Sequence, residues 1–241
     1  PQLEGHAGIW RFSDQPGQTY SPANRFLTGT RNCVALEWNA QSGHLYGLQH
    51  GRDQLSSFWP EHFEEEQNPE LPAEEFFLLE EGDDFGWPYC FYDPFQKKKV
   101  LAPEYGGDGK EVVRCADAKD PIMAFPGHWA PNDLIFYSGN QFPEKYRGGA
   151  FIAFHGSWNR APAPQKGYNV VFVPFNGELP SGDYEVFADH FTGTDTLDAP
   201  NNAVSRPCGL AQGPDGALYI TDSQKGKIWR VSYQGDRVAM R

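Results

Sequence analysis

Cysteine, long apolar runs, positive charge and helical periodicity are all scarce in this chain, and each scarcity closes off a class of function. The four cysteines among 241 residues make neither a Cys-x-x-Cys pair nor a Cys-x-x-Cys-His run, which argues against a zinc knuckle or a covalently attached haem. No apolar stretch approaches the roughly 20 residues that a bilayer-spanning helix needs, so no membrane span is expected. Lysine and arginine number 20 against 32 aspartates and glutamates, and the net charge of −12 repels phosphate backbones, which sets nucleic acid aside as a partner. Helical periodicity is missing outside residues 60–79, a stretch rich in Glu and Pro.

What is abundant points to β-structure. Aromatics make up 15% of the chain, with 26 Gly and 20 Pro, the composition of many short strands joined by tight turns. One design recurs. Arg31-Asn32-Cys33-Val34-Ala35-Leu36 leads through a turn at Ser42-Gly43 into Leu45-Tyr46-Gly47-Leu48, and Arg206-Pro207-Cys208-Gly209-Leu210-Ala211 leads through Pro214-Asp215-Gly216 into Leu218-Tyr219-Ile220. Between them, Ala130-Pro131-Asn132-Asp133-Leu134-Ile135-Phe136 reaches Ala150-Phe151-Ile152-Ala153-Phe154 through a longer turn. Self-similarity over such distances predicts an all-β fold of the β-propeller type.

A second echo sets the phase. Gly8-Ile9-Trp10-Arg11-Phe12, Tyr168-Asn169-Val170-Val171-Phe172-Val173 and Lys227-Ile228-Trp229-Arg230-Val231 are each expected to be an outer strand that closes a blade. The division is then one partial propeller domain over 1–241: a blade end at 1–25, a blade at 26–80, an insertion at 82–127, a blade at 128–175 and a blade at 186–233, with a fraying tail over 237–241. That is about three blades, where complete propellers carry roughly four to eight. A companion chain or a missing N-terminal half is expected to complete the ring.

The acidic excursion at 61–81 is expected to be a solvated face, with Lys97-Lys98-Lys99 of the insertion also in water. Cys90 and Cys115 flank the glycine-rich loop Tyr105-Gly106-Gly107-Asp108-Gly109. They either staple it, implying an oxidising compartment, or remain free and buried. Cys33 and Cys208 occupy equivalent places in two blades and are expected to fill small apolar slots.

Polar residues at the starts of inner strands meet at the mouth of a propeller channel. Arg31, Asn32 and Arg206 hold such places, and two guanidinium forks aimed at one cavity suit an anionic ligand; the alternative is that each arginine caps its own strand or pairs with a glutamate. In His50-Gly51-Arg52-Asp53, glycine lets consecutive carbonyls turn toward a hard cation while Asp53 adds charge, so this loop is either a calcium site or a simple turn. His155-Gly156-Ser157-Trp158-Asn159-Arg160 offers a stacking indole and the donors His155 and Arg160, and His128-Trp129-Ala130-Pro131-Asn132 leads toward the same mouth. A hydrolase built on Ser157 would need a base and an acid beside it.

These segments resemble the glucose/sorbosone dehydrogenase family, the soluble pyrroloquinoline-quinone propellers, and in particular its sorbosone-dehydrogenase-like branch. The likeness is carried by residues 29–36, His50-Gly51-Arg52-Asp53, Phe85-Gly86-Trp87-Pro88-Tyr89, Phe136-Tyr137-Ser138-Gly139 with Phe142-Pro143 and Tyr146-Arg147-Gly148, residues 155–160, and Arg206-Pro207 through Pro214-Asp215-Gly216. It implies a six-bladed propeller of which this chain resembles the C-terminal half. It further implies that Arg31 and Asn32 contact the quinone, that the Gly51 and Arg52 carbonyls hold Ca2+, and that Arg206 binds a quinone carboxylate. The family's clamping lysine has no match, and His155 or Arg160 stands in its place. Cys208 stands where a second arginine is expected, and the general-base histidine belongs to the part not represented here.

The leading expectation is therefore a pyrroloquinoline-quinone- and calcium-dependent dehydrogenase that oxidises a sugar or sugar aldehyde by hydride transfer, periplasmic or secreted. The alternative is a non-catalytic propeller that serves as an interaction or assembly module. A metal-dependent lactone hydrolase ranks below both, since Asn32, Asn132 and Asp222 alone would have to supply its ligands.

Overall fold

The computed structural model describes residues 2–235; the tail expected to fray lies outside the described residues. Strands dominate, and the α-helical content among the described residues is a single turn, Leu55–Phe58. The chain opens with β1 (Gly8–Trp10) paired to β2 (Arg25–Thr28), then runs through β3 (Asn32–Asn39), β4 (His44–His50) and β5 (Glu74–Leu79). The insertion carries β6 (Cys90–Asp93) and β7 (Lys98–Leu101) and ends in β8 (Met123–Phe125). There follow β9 (Pro131–Phe136), β10 (Ala150–Phe154), β11 (Asn169–Val173), the two-residue β12 (Phe175–Asn176) and β13 (Leu179–Pro180), β14 (Glu185–Ala188), β15 (Pro207–Gln212), β16 (Leu218–Asp222) and β17 (Ile228–Val231).

Three antiparallel sheets form the body, ordered β3-β4-β5-β8, β9-β10-β11-β14 and β15-β16-β17. The inner hairpins follow the repeat, with β3 and β4 pairing from Asn32↔His50 to Asn39↔His44. The outer strands differ from expectation. β11 is third of four in its sheet, with β14 outside it, and the fourth strand of the first sheet is β8, on the far side of the insertion. Both departures have one cause: β5 and β11 are buried at every position, so each needs a backbone partner on both edges.

Burial follows strand alternation. Ala150, Ile152 and Phe154 of β10 join Tyr46, Leu48 and Phe76 between the first and second sheets, while Phe151 and Ala153 join Leu210, Leu218 and Ile220 between the second and third. β10 is thus covered on both faces.

The insertion locks onto the rim. Gly29, at φ +80°, passes so close to its partner segment that a Cβ would lie 2.2 Å from Asp84 Oδ1 and 2.3 Å from Gly86 N, which only glycine allows. The Phe85 and Trp87 N–H groups donate to Thr28 and Gly29 carbonyls across this contact. Cys90 and Cys115 form a disulfide that ties β6 to the 3-10 turn Val113–Asp117. Cys115→Ser removes a link across 25 residues and is expected to cost about 3 kcal/mol, read as a lower urea midpoint with a somewhat steeper slope as the unfolded chain expands.

Lys97 and Glu61, Glu64, Glu65, Glu66, Glu80 and Glu81 are exposed as expected, but three charged side chains of the same two stretches are buried. Lys99 is 2% exposed and its Nζ lies 2.9 Å from Glu75 Oε2, and Glu74 and Glu75 begin the buried strand β5. A polar partner from another segment reaches each of them, which offsets part of the cost of burial.

Candidate functional site

The ends of the inner strands surround a cavity of about 250 Å³ whose wall includes Arg31, Asn32, His50, Gly51, Asp53, Glu74, His128, Ala130, His155, Gly156, Trp158, Asn159 and Arg206. Arg31 and Arg206, far apart in sequence, hold equivalent positions in it. The Arg31 backbone N–H donates to Gln49 Oε1 of β4 at 2.8 Å, and that of Arg206 donates to Asp222 Oδ1 of β16 at 2.7 Å. Their guanidinium groups brace the exits of neighbouring strands. Arg31 Nη1 donates to the His50 and Gly51 carbonyls at 3.2 and 2.7 Å, and Arg206 donates through Nε to His155 O at 3.1 Å and through Nη2 to Gly156 O at 2.6 Å. Each arginine therefore caps backbone and faces the cavity at once. Arg206 Nη1 and the Asn32 amide have no hydrogen-bond partner among the described residues, and the Trp158 side chain is open, at 59% exposure.

Carboxylates and imidazoles line the floor. Glu74 is buried, with Oε2 accepting from Gly51 N at 2.8 Å and Oε1 from Ala130 N at 3.2 Å, so it ties the exit of β4 to the start of β9. Burial pushes its carboxyl up to about 7 despite those two donors. Burial also acts to raise Asp53, but His128, Arg31 and the Asn159 amide together hold it below the usual carboxylate range. His155 is pushed down to about 4, first by burial and then by the nearby Arg206 and His50, so it is neutral at physiological pH; its Nε2 lies 2.8 Å from Ser223 Oγ. Burial likewise lowers His50, whose Nε2 lies 3.0 Å from Pro131 O and 3.1 Å from Asn132 Oδ1.

The sign of the Glu74 shift predicts a pH signature. Its folded-state pKa lies above the ordinary 4.5, so its contribution to stability is complete below that pH and is lost as pH rises through about 7. The loss is on the order of 3 kcal/mol. His155 acts in the opposite sense, withdrawing stability as pH falls from 6.5 through about 4. Melting of Glu74→Gln beside the parent protein separates the two, because the variant is expected to lack only the decline that the parent shows as pH rises from 4.5 to about 7.

The side chain of Arg160, expected at the cofactor, lies elsewhere, and so does the side chain of Arg52, whose carbonyl alone is expected at the metal. Arg160 is 2% exposed and fully engaged as a clamp, with Nη2 2.7 Å from Glu70 Oε1, Nη1 donating to the Gly127 and Pro69 carbonyls and Nε to Pro164 O. Arg52 turns its buried side chain to Glu104 Oε2 at 2.6 Å and over the Trp59 ring, anchoring the insertion. Neither side chain is part of the cavity wall. Ser157 is also buried, its Oγ donating to Gln165 Oε1 at 2.7 Å, which withdraws the hydrolase nucleophile. Asp222 accepts from the N–H groups of Arg206, Gln224 and Lys225, and so does not join Asn32 and Asn132 as a metal ligand.

The donor set fits a flat polyanion: two guanidinium groups, an unpartnered amide, an open indole and a neutral imidazole meet in one concavity. It does not fit calcium as arranged. Arg31 already occupies the Gly51 carbonyl, Asp53 is engaged by Arg31, His128 and Asn159, and among the described residues no group of three or more His, Cys, Asp or Glu could hold a metal.

Glu74 escaped the sequence reading because it sits among other glutamates. The signal that marks it is the apolar run Phe76-Phe77-Leu78-Leu79 immediately after Glu74-Glu75, which draws the pair into a buried strand.

Residues 4–234 match the family described as TrAA12-like. The chain belongs to that family. Among curated proteins it is 34% identical over 169 residues to a pyrroloquinoline quinone-dependent pyranose dehydrogenase of Coprinopsis cinerea, covering 61% of this chain and 22% of that protein. It is 30% identical over 207 residues to an uncharacterized protein of Borreliella burgdorferi, covering 86% and 48% respectively. The chain thus spans about half, or less, of the length of these relatives. Among solved structures, a calcium structure of the Trichoderma reesei family AA12 protein superposes with a TM-score of 0.69 at 19% identity, over 95% of this chain and 60% of that one. The holo quinone domain of the Coprinopsis cinerea pyranose dehydrogenase gives 0.64 at 21%, over 87% and 55%. At such identities the likeness speaks for a shared fold.

Proposed function

We propose that this chain forms part of a pyrroloquinoline-quinone-dependent oxidoreductase acting on a sugar or sugar aldehyde, with the quinone over the cavity between Arg31 and Arg206. The carrying observation is that these two guanidinium groups share one concavity with an open indole and a neutral imidazole. In this reading the three sheets are blades of a six-bladed propeller, and a further half, in the same polypeptide or a companion chain, closes the ring and brings the general base. When bound, the quinone would supply the hydride acceptor. The chain's own residues do the rest: Arg31 and Arg206 hold carboxylates, Asn32 orients the ring edge, Trp158 covers a flat face, and His155 offers a hydrogen bond without adding positive charge.

Calcium at Gly51, Arg52 and Asp53 would require Arg31 first to release the Gly51 carbonyl, and no step of the proposal depends on it. A periplasmic or secreted location is supported by the Cys90–Cys115 disulfide and agrees with the finding that no helix among the described residues is long and apolar enough to cross a membrane. The withdrawal of Arg160 and the cysteine at 208 favour a second reading, a propeller that has lost its cofactor and serves as an assembly module.

Calorimetric titration of the intact protein with pyrroloquinoline quinone separates the readings. Saturable binding at micromolar concentration or tighter, with a bound-quinone absorbance and dye reduction by an aldose, is the expected result. No heat and no absorbance change would overturn the proposal in favour of the assembly module.

A further inference from the structure

The insertion at 82–127 supplies no residue to the cavity wall, yet it reaches the cavity twice at second hand, and both routes end on Arg31. One runs through the core: Lys99 pairs with Glu75 at 2.9 Å, Glu75 accepts from the Gln49 amide, and Gln49 accepts from the Arg31 backbone N–H. The other is a side-chain contact. The Arg31 guanidinium lies over the indole of Trp87 with its Cζ 5.5 Å from the ring centroid, inside the roughly 6 Å over which an aromatic face attracts a cation.

Arg206 is supported in a similar manner. Its guanidinium spans the His155 and Gly156 carbonyls, as that of Arg31 spans those of His50 and Gly51, and its Cζ lies 5.2 Å from the Tyr168 ring centroid. Each cavity arginine thus has two consecutive carbonyls and one ring. The rings differ in origin: Tyr168 is a core residue just ahead of β11, whereas Trp87 is half-buried and belongs to the insertion. The Trp87 backbone is fixed close to Arg31, its N–H donating to Gly29 O at 2.9 Å across the contact where Gly29 has no room for a Cβ.

Hydrogen bonds hold the Arg31 fork unevenly. Nη1 serves both carbonyls, while Nη2 has only a long contact of 3.5 Å with Asp53. A ring against the guanidinium restrains its plane and takes up no N–H, whereas a second carboxylate in that place would compete with an anionic ligand for the same donors. We infer that Trp87 is a positioning residue, which holds the Arg31 guanidinium toward the cavity without occupying its N–H groups, so that the insertion sets how strongly the site binds an anion. The inference rests on the quinone reading only for the identity of that anion.

Two measurements test it. In the quinone-free protein, the Arg31 Nε–H resonance, assigned by its disappearance in Arg31→Lys, is expected to be displaced by the ring current of the indole. Trp87→Leu should return it to its ring-free position, and Trp87→Phe, which keeps a smaller ring, should leave it between the two. Affinity is read by calorimetric titration with pyrroloquinoline quinone. Trp87→Leu is expected to weaken binding about three- to tenfold and Trp87→Phe by less. In an Arg31→Ala background, Trp87→Leu should cause no further loss. Both variants at position 87 keep the backbone N–H that bonds Gly29, and Trp87→Phe carries both measurements where Trp87→Leu fails to fold. An Arg31 resonance that does not respond to the ring at position 87, or an equal loss of affinity with and without Arg31, would overturn the inference. A parent protein that binds no quinone while the Arg31 resonance follows that ring would remove the quinone reading and support this one.

Discussion

Lys99→Met is expected to destabilise the protein by about 3–5 kcal/mol, because it strands a carboxylate inside the fold. Lys99 and Glu75 are both buried, 2.9 Å apart, with the ammonium also donating to Phe85 O and lying 5.3 and 5.6 Å from the Phe77 and Phe85 ring centroids. Glu75 Oε1 accepts from Gln49 Nε2 at 2.8 Å, and Gln49 Oε1 in turn holds the Arg31 backbone N–H. The pair therefore props a cavity residue as well as the core. In the double variant Lys99→Met with Glu75→Gln neither charge remains, so most of the loss should be recovered in chemical denaturation. A double variant as unstable as the single one would show that the cost is packing and not an unpaired charge.

Arg206→Ala is expected to weaken quinone binding by about 30- to 150-fold, the cost of about 2–3 kcal/mol for removing one half-buried partner of an anion. The same change should raise the titration of His155 toward its ordinary range, since Arg206 is the largest charge holding it down, while burial continues to depress it. Imidazole NMR reads that shift without cofactor. Affinity unchanged with His155 shifted would mean that Arg206 faces the cavity but does not hold the ligand. Arg160→Ala supplies the contrast: it should lower stability through loss of the Glu70 clamp and leave quinone affinity alone in the folded fraction.

Local pattern made the hairpins legible. A turn at Ser42-Gly43 between two alternating runs defines β3 and β4 without reference to anything distant, and the same holds for β15 and β16 around Pro214-Asp215-Gly216. The fourth strands were not legible, because β8 is three residues long and β14 four, too short to carry a period, and each is recruited by the bare edge of a buried strand. Charged residues misled for a related reason. Lys99 and Glu75 read as solvent-facing and Arg160 as a cofactor contact in sequence, and only the fold reveals partners such as Glu70, which lies 90 positions from Arg160. At the cavity, residue type and place in the repeat picked out Arg31, Asn32 and Arg206, while the partners that Glu74 and Asn159 find there, Gly51, Ala130 and Asp53, come from other segments that no local spacing encodes.

The left-handed backbone at His128 and Ala130 makes this stretch of the cavity wall a poor place for drift. A β-branched replacement at either position would meet its own backbone, and Trp129 is gripped by aromatic neighbours. Replacements there are therefore expected to be confined to residues that tolerate left-handed backbone, glycine and asparagine first, however much the loops around them vary.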